Sequence, residues 1–187
     1  MATLSLQSSY QPKALHYGHL LRGLALAVQP RYVVEFGILN GFSLQHLAEG
    51  AGADTVLEAF DLFDQFNGNH SHRETLEAQF SDDPRIRWQA GDFYQAVERF
   101  ADDSIDLLHV DIANHGGVYE FALTHYWPKV KRGGLLCLEG GSAERDQVYW
   151  MKKYDKPPIQ PVLQRYADRK PQVFEPMPSL TVFAKPV

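Results

Sequence analysis

The feature that most constrains this chain is an unbroken alternation of short apolar runs with stretches of helical periodicity. The runs are RYVVEFG, TVLEAFD, RIRWQAGD, IDLLHVD and GGLLCLEGG. Between them lie SLQHLAEGAGA, HRETLEAQF, FYQAVERFA and GGVYEFALTHYW, each long enough for two or three helical turns. Strands that alternate with such helices define βαβ units, and hence a parallel sheet covered on both faces. Ahead of the first run, ALHYGHLLRGLALAVQP carries apolar residues at Leu15, Leu20, Leu21, Leu24 and Val28, which predicts a helix ended by Pro30. Ser71 with Glu74 three residues on predicts a capping box for HRETLEAQF. AERDQVYWMKKY follows the last apolar run, and Pro157 to Pro161 reads as a proline-rich connection. PQVFEPMPSLTVFAK then reads as two strands joined by EPMPS, an antiparallel hairpin closing the sheet edge. The expected architecture is α/β: a Rossmann-like, doubly wound sheet of seven mostly parallel strands with a C-terminal antiparallel hairpin. One domain is expected over residues 1–187, with an N-terminal helical segment at 1–29 and the α/β core at 30–187.

In such a sheet ligands bind outside the carboxyl ends of the strands, where the strand order reverses. The residues at those ends are Glu35, Asp61, Asp92, Asp111 and Glu139, all acidic. Singly, each is explained as a helix-start carboxylate. Five together would repel one another without a partner. The first strand runs into VVEFGILNGFS, with glycines at 37 and 41. A dinucleotide fingerprint needs G-x-G-x-x-G so that backbone can approach a pyrophosphate. Here Leu39 and Phe42 occupy its second and third glycine positions, and an acidic rim repels phosphate. A ligand with ribose hydroxyls, an amine and a positive centre but no phosphate suits both facts, and S-adenosylmethionine has that chemistry.

Composition narrows the class further. With 187 residues, a net charge of −5, 44% hydrophobic and 22% charged residues, the chain can bury one sizeable core. No basic block marks a nucleic-acid footprint. The densest basic run, KVKR at Lys129 to Arg132, is expected near a helix end. A single cysteine, Cys137, excludes an internal disulfide and a multi-cysteine zinc site, and its apolar run predicts a buried strand residue. Neither a signal peptide nor a membrane-length apolar run is apparent, so a cytoplasmic location without membrane association is expected.

The ordered set of motifs resembles the class I S-adenosylmethionine-dependent methyltransferases from about Leu20 onward. VVEFGILNGFS resembles the first motif, FDLFD the acid-bearing end of the second strand, AGD the third motif and IDLLHVDIANH the fourth. VKRGGLLCLEGG resembles the fifth strand, and VFEPMPSLTVFAK the terminal hairpin. Within that class the chain is most similar to small O-methyltransferases of the catechol and caffeoyl-CoA type and their bacterial relatives. The resemblance implies Glu35 near the methionine amine, with Gly37 and Gly41 letting the cofactor approach. It implies Asp61 on the ribose hydroxyls (Glu58 if the strand ends earlier), Asp92 facing the adenine amino group and Phe93 flanking the ring. Ser43 is read equally as a helix-opening residue or a binding residue.

Two devices for exposing a deprotonated nucleophile follow. In one, a magnesium-type divalent metal held by Asp111 and Glu139 lowers the acceptor's pKa. Metal-dependent relatives carry Asp-Asn where this chain has Glu139-Gly140, a departure that leaves one ligand missing. In the other, His115 is a general base four residues past Asp111. His109 is expected in the core. His70 and His72 form an H-x-H pair without a nearby partner, Phe63 to His70 is a candidate lid, and His16, Tyr17 and His19 are candidates for the same mouth. The expected activity is methyl transfer to a small-molecule acceptor at a hydroxyl oxygen. The rivals are a catalytically silent S-adenosylmethionine or S-adenosylhomocysteine-binding module and a nicotinamide-dependent oxidoreductase. Little extends beyond the core fold, so a homodimer completing the pocket is one expectation.

Overall fold

The structure, a computed structural model, describes residues 4–5, 16–65, 71–175 and 178–187. In chain order the elements are β1 (Leu4–Ser5), α1 (Tyr17–Val28), β2 (Tyr32–Phe36), α2 (Phe42–Gly50), β3 (Val56–Asp61), α3 (Arg73–Gln79) and β4 (Ile86–Ala90). There follow α4 (Phe93–Ala96), β5 (Ile105–Val110), α5 (Gly116–Phe121), β6 (Val130–Glu139), α6 (Tyr149–Lys153), α7 (Gln160–Arg165), β7 (Gln172–Glu175) and β8 (Leu180–Ala184). The sheet order is β1-β7-β8-β6-β5-β2-β3-β4. β8 runs antiparallel to both β6 and β7, whereas β2 through β6 pair in parallel. This is the expected doubly wound sheet, with one addition: the two-residue β1 pairs with Phe174 and Glu175.

The pleat sends alternate residues of the central strands to two cores. Val34, Phe36, Leu108, Val110, Leu136 and Leu138 pack on one face with Tyr119 and Tyr126. Val33, Leu57, Leu107 and Cys137 pack on the other beneath α1 and α2. Cys137 is fully buried, and burial pushes its thiol up to about 12, which makes it an inert core residue. β2 lies between β3 and β5, so the strand order reverses there. The crevice beyond the ends of β2 and β5 is therefore the topological switch point.

Several local expectations are corrected. His72, not Ser71, occupies the N-cap position of α3, without a side-chain capping bond of its own, and Glu74 lies in the first turn. KVKR does not end a helix; α5 continues as a π-helical segment, Ala122–Tyr126, and the basic run opens β6. Lys129 and Lys131 there pair with Asp102 and Asp106 at 2.7 and 2.8 Å. The proline-rich connection contains α7, whose Pro161 sits in the first turn, where a missing N–H costs nothing. Asp146 accepts from the backbone N–H groups of Ile159 and Gln160 at 2.7 and 2.9 Å and so organises that helix start from a distant segment. Leu15, most of the candidate lid (66–70) and His70 lie outside the described residues.

Candidate active site

Beyond the ends of β2, β3 and β5 lies a cavity of about 510 Å³. Gly37, Asp61, Asp92, Phe93 and Asp111 all line it, beside apolar Phe36, Leu39, Phe60, Leu62 and Ile112. Residues scattered over 75 positions of sequence therefore meet at one crevice. A larger concavity, about 830 Å³, lies between α2 and the segment before β4, away from the strand ends.

Each acidic strand end has its own partner. Asp61 accepts from the backbone N–H groups of Ile38 and Leu39 at 2.8 and 3.4 Å through Oδ2, and from Phe63 at 3.1 Å through Oδ1. It thereby binds the glycine loop to the end of β3. Glu58 is a mid-strand residue opposite Val34, its carboxylate bonded to the Tyr32 hydroxyl, and stands apart from the cavity. Asp92 caps α4 by accepting from Tyr94 N–H at 2.6 Å. Phe93 is buried and stacked on Tyr126, with ring centroids 4.8 Å apart.

Glu35 does not line the cavity. It is 0% exposed, directly opposite His109 across the β2–β5 pair, with Oε1 2.8 Å from His109 Nδ1. Burial alone lowers the imidazole pKa, but the hydrogen bond and charge of Glu35, with Asp111 and Glu139 behind them, outweigh it and hold His109 above its ordinary value. His109 is a core residue, as expected, but one half of a buried ion pair.

The glycines have different duties. At Gly37 (φ +86°) a Cβ would lie 2.1 Å from the Asp111 carbonyl oxygen, so β2 and β5 can approach here only without a side chain. At Gly41 (φ +80°) a Cβ would strike Phe80 at 2.5 Å, which ties this glycine to packing against the loop after α3 rather than to the cavity. Ser43 is buried in the first turn of α2 and lines no part of the cavity.

Glu139 meets Arg145. The guanidinium approaches both carboxylate oxygens, Nε to Oε1 at 2.9 Å and Nη2 to Oε2 at 3.0 Å, and Nη2 also donates to the Asn114 carbonyl. A divalent ion needs those oxygens free. As they stand, with both Glu139 oxygens engaged by the Arg145 guanidinium, Asp111 and Glu139 do not fit a magnesium-type centre. Asn114, fully buried, donates to the carbonyls of Val110 and Glu139 and joins the ends of β5 and β6.

His115 caps α5. Its Nδ1 accepts from Gly117 N–H at 3.0 Å, so in the neutral ring the proton is on Nε2. Burial, then the charges of Lys156 and Arg145, lower its pKa.

Asp111 differs from the other four. It is half-buried, and among the described residues its one side-chain hydrogen bond is from the Tyr17 hydroxyl to Oδ2, at 2.9 Å. Burial pushes its carboxyl up to about 6, with Glu139 and Glu35 adding to the rise and His109 and Tyr17 opposing it. Burial and the Asp111 charge together raise the Tyr17 phenol, which stays a proton donor. Sequence reasoning missed Arg145, which belongs to no strand-end motif, and gave no role to Asn114, although it lies within IDLLHVDIANH. Tyr17 was visible only as one member of an HYGH segment.

A parallel sheet with a terminal antiparallel strand, acids at its carboxyl ends and a glycine loop at the switch point defines the class I S-adenosylmethionine-dependent methyltransferase fold. The methyltransferase-domain family profile matches residues 34–139, more than half of the chain, and the chain belongs to that family. No curated protein sequence matches it. Among solved structures it is similar to the O-methyltransferase TomG of Streptomyces achromogenes, involved in tomaymycin synthesis and determined with S-adenosylmethionine. That match has a TM-score of 0.68 and 16% identity over 93% of this chain and 82% of the other. A methyltransferase from Geobacter sulfurreducens matches with a TM-score of 0.64 and 18% identity, over 91% of this chain and 78% of that one. An O-methyltransferase from Bacillus cereus, in complex with S-adenosylhomocysteine, gives 0.64 and 15% over 94% and 84%. At these identities the likeness is one of fold. Among the described residues no helix is long and apolar enough to cross a membrane.

Proposed function

We propose that this chain transfers a methyl group from S-adenosylmethionine to a hydroxyl oxygen of a small molecule, with Asp111 as the base and no divalent ion between Asp111 and Glu139. The observation that carries this reading is a half-buried carboxyl poised at about 6 on the wall of the strand-end cavity. The cavity suits the cofactor: its wall is apolar where an adenine ring would lie, acidic where hydroxyl and amino donors would lie, and without a phosphate cradle.

Bound S-adenosylmethionine supplies an electrophilic methyl group that needs no further activation. The chain's task is then to bind, align and remove one proton. Asp61, on the cavity wall at the end of β3, would take the ribose hydroxyls. Asp92 would take the adenine amino group, with Phe93 against the ring. Asp111 would accept the proton of the acceptor hydroxyl as the oxygen attacks the methyl carbon, and the carbon–sulfur bonding pair returns to sulfur. Tyr17, donating to Oδ2, holds the carboxylate in one orientation. Arg145 balances the charge of Glu139 beside the end of β6.

A second reading, a silent S-adenosylmethionine or S-adenosylhomocysteine-binding module, is favoured by the same Arg145–Glu139 pair, since it closes the usual metal position. Calorimetric titration with S-adenosylhomocysteine, followed by methyl-transfer assays on a catechol, phenol and sugar panel with and without magnesium, separates the two. Binding with magnesium-independent turnover supports the proposal. Binding with no turnover favours the module, and absence of binding ends both.

A further inference from the structure

Outside the cavity, three histidines converge from two helices. His16 precedes α1, His19 lies in its first turn and His46 lies on α2. Each offers one ligand nitrogen, and the three atoms lie within 4.8 Å of one another. The His16 ring stacks on His19 with centroids 3.9 Å apart, and meets His46 edge-on at 5.0 Å and 90°.

Second observations point to a ligand rather than to packing alone. The Nδ1 of His16 is buried and makes no hydrogen bond of ordinary geometry among the described residues, the His16 side chain having only a loose capping-box contact with the His19 backbone. His46 Nδ1 lies 2.8 Å from the Phe42 carbonyl, which only an N–H can satisfy, so its Nε2 carries the free lone pair. Histidine ligands of metal sites are oriented in this way, by a backbone carbonyl on the other ring nitrogen. Gly18 makes the approach feasible: a Cβ there would lie 2.9 Å from the His46 ring and 3.0 Å from His16 Nδ1. The remaining contact, His16 N–H to His19 Nδ1 at 3.5 Å, is long and gives way readily.

We propose that His16, His19 and His46 bind a divalent transition-metal ion of the zinc class, with the fourth position open to water, and thereby tie α1 to α2. Three imidazoles without a carboxylate select such an ion over magnesium or calcium, which require oxygen. A tetrahedral centre with Zn–N of about 2.0–2.1 Å places its nitrogens about 3.4 Å apart. Small rotations of three partly exposed rings supply that closure. The Phe42 ring touches His16, Tyr17 and His46, so the ion would stiffen the helix start that carries Tyr17 to Asp111.

The test is titration of untagged, full-length protein with Co2+ alone, read by visible absorption, with Zn2+ as competitor and circular dichroism as a check of folding. One Co2+ per chain is expected, displaced by Zn2+ and accompanied by a rise in Tm. His19→Ala, at an exposed position, and His46→Gln should each weaken binding at least about tenfold. His125→Ala, an exposed histidine elsewhere, should not. Absence of saturable binding, or equal binding by wild type and both variants, would overturn the proposal. The readout needs no methyl transfer, so its failure leaves the proposed activity standing.

Discussion

Burial, reinforced by the charges of Glu139 and Glu35, pushes the Asp111 carboxyl up to about 6 against the opposing pull of His109 and the Tyr17 hydroxyl. Two consequences follow with opposite signs. Turnover should rise with pH through about 6, as the base loses its proton. Stability should fall across roughly pH 4–6, because there the folded chain holds a proton that the unfolded chain, at about 3.9, has lost. Asp111→Asn should therefore lower kcat by at least about a hundredfold while raising stability at pH 7 by about 1–2 kcal/mol. Asn can still accept from Tyr17, which limits the change to the charge. Activity assays paired with urea melts across pH check both; unchanged turnover would remove Asp111 from the mechanism.

At the scale of elements, β2 and β5 are coupled by a buried charge pair and by a glycine contact. Removing one member of a buried pair leaves an uncompensated polar group, and removing both need not. Glu35→Leu alone should cost about 3–5 kcal/mol, and adding His109→Leu should recover much of it, as measured by denaturant unfolding in a double-mutant cycle. Gly37→Ala places a methyl against the Asp111 carbonyl at a left-handed backbone position. It should weaken S-adenosylhomocysteine binding and lower Tm together. Wild-type affinity in a destabilised variant would detach the β2–β5 approach from the cavity.

For the whole molecule, the sheet brings Asp111, just past the end of β5, and Glu139, at the end of β6, into one electrostatic neighbourhood, and the segment after β6 folds back to place Arg145 there. In the proposed mechanism a fixed guanidinium stands in for an exchangeable ion. Added magnesium should change neither kcat nor KM, whereas Arg145→Lys, which lacks the two-pronged geometry, should lower turnover. Magnesium activation of the wild type would contradict this.

Strand order of types, the acids at the strand ends and Gly37 at the first loop were legible in the residues themselves. Each rests on local rules: apolar period, turn chemistry and the direction of a parallel strand. The same rules carried Asp61, Asp92, Phe93 and Asp111 to one cavity wall. They did not say what those acids would meet. Glu35 was sent to the core by the pleat, opposite a histidine 74 positions away; Glu139 met an arginine six positions on, after a turn no motif marks. α7 was hidden because proline reads as a breaker until its first-turn position is known. By itself, then, the sequence determined a methyltransferase sheet and much of the wall of its strand-end cavity. Only the tertiary structure decided which of those carboxyls is pushed furthest up, because a pKa is set by burial and by neighbours in space, and here most of those neighbours come from other elements.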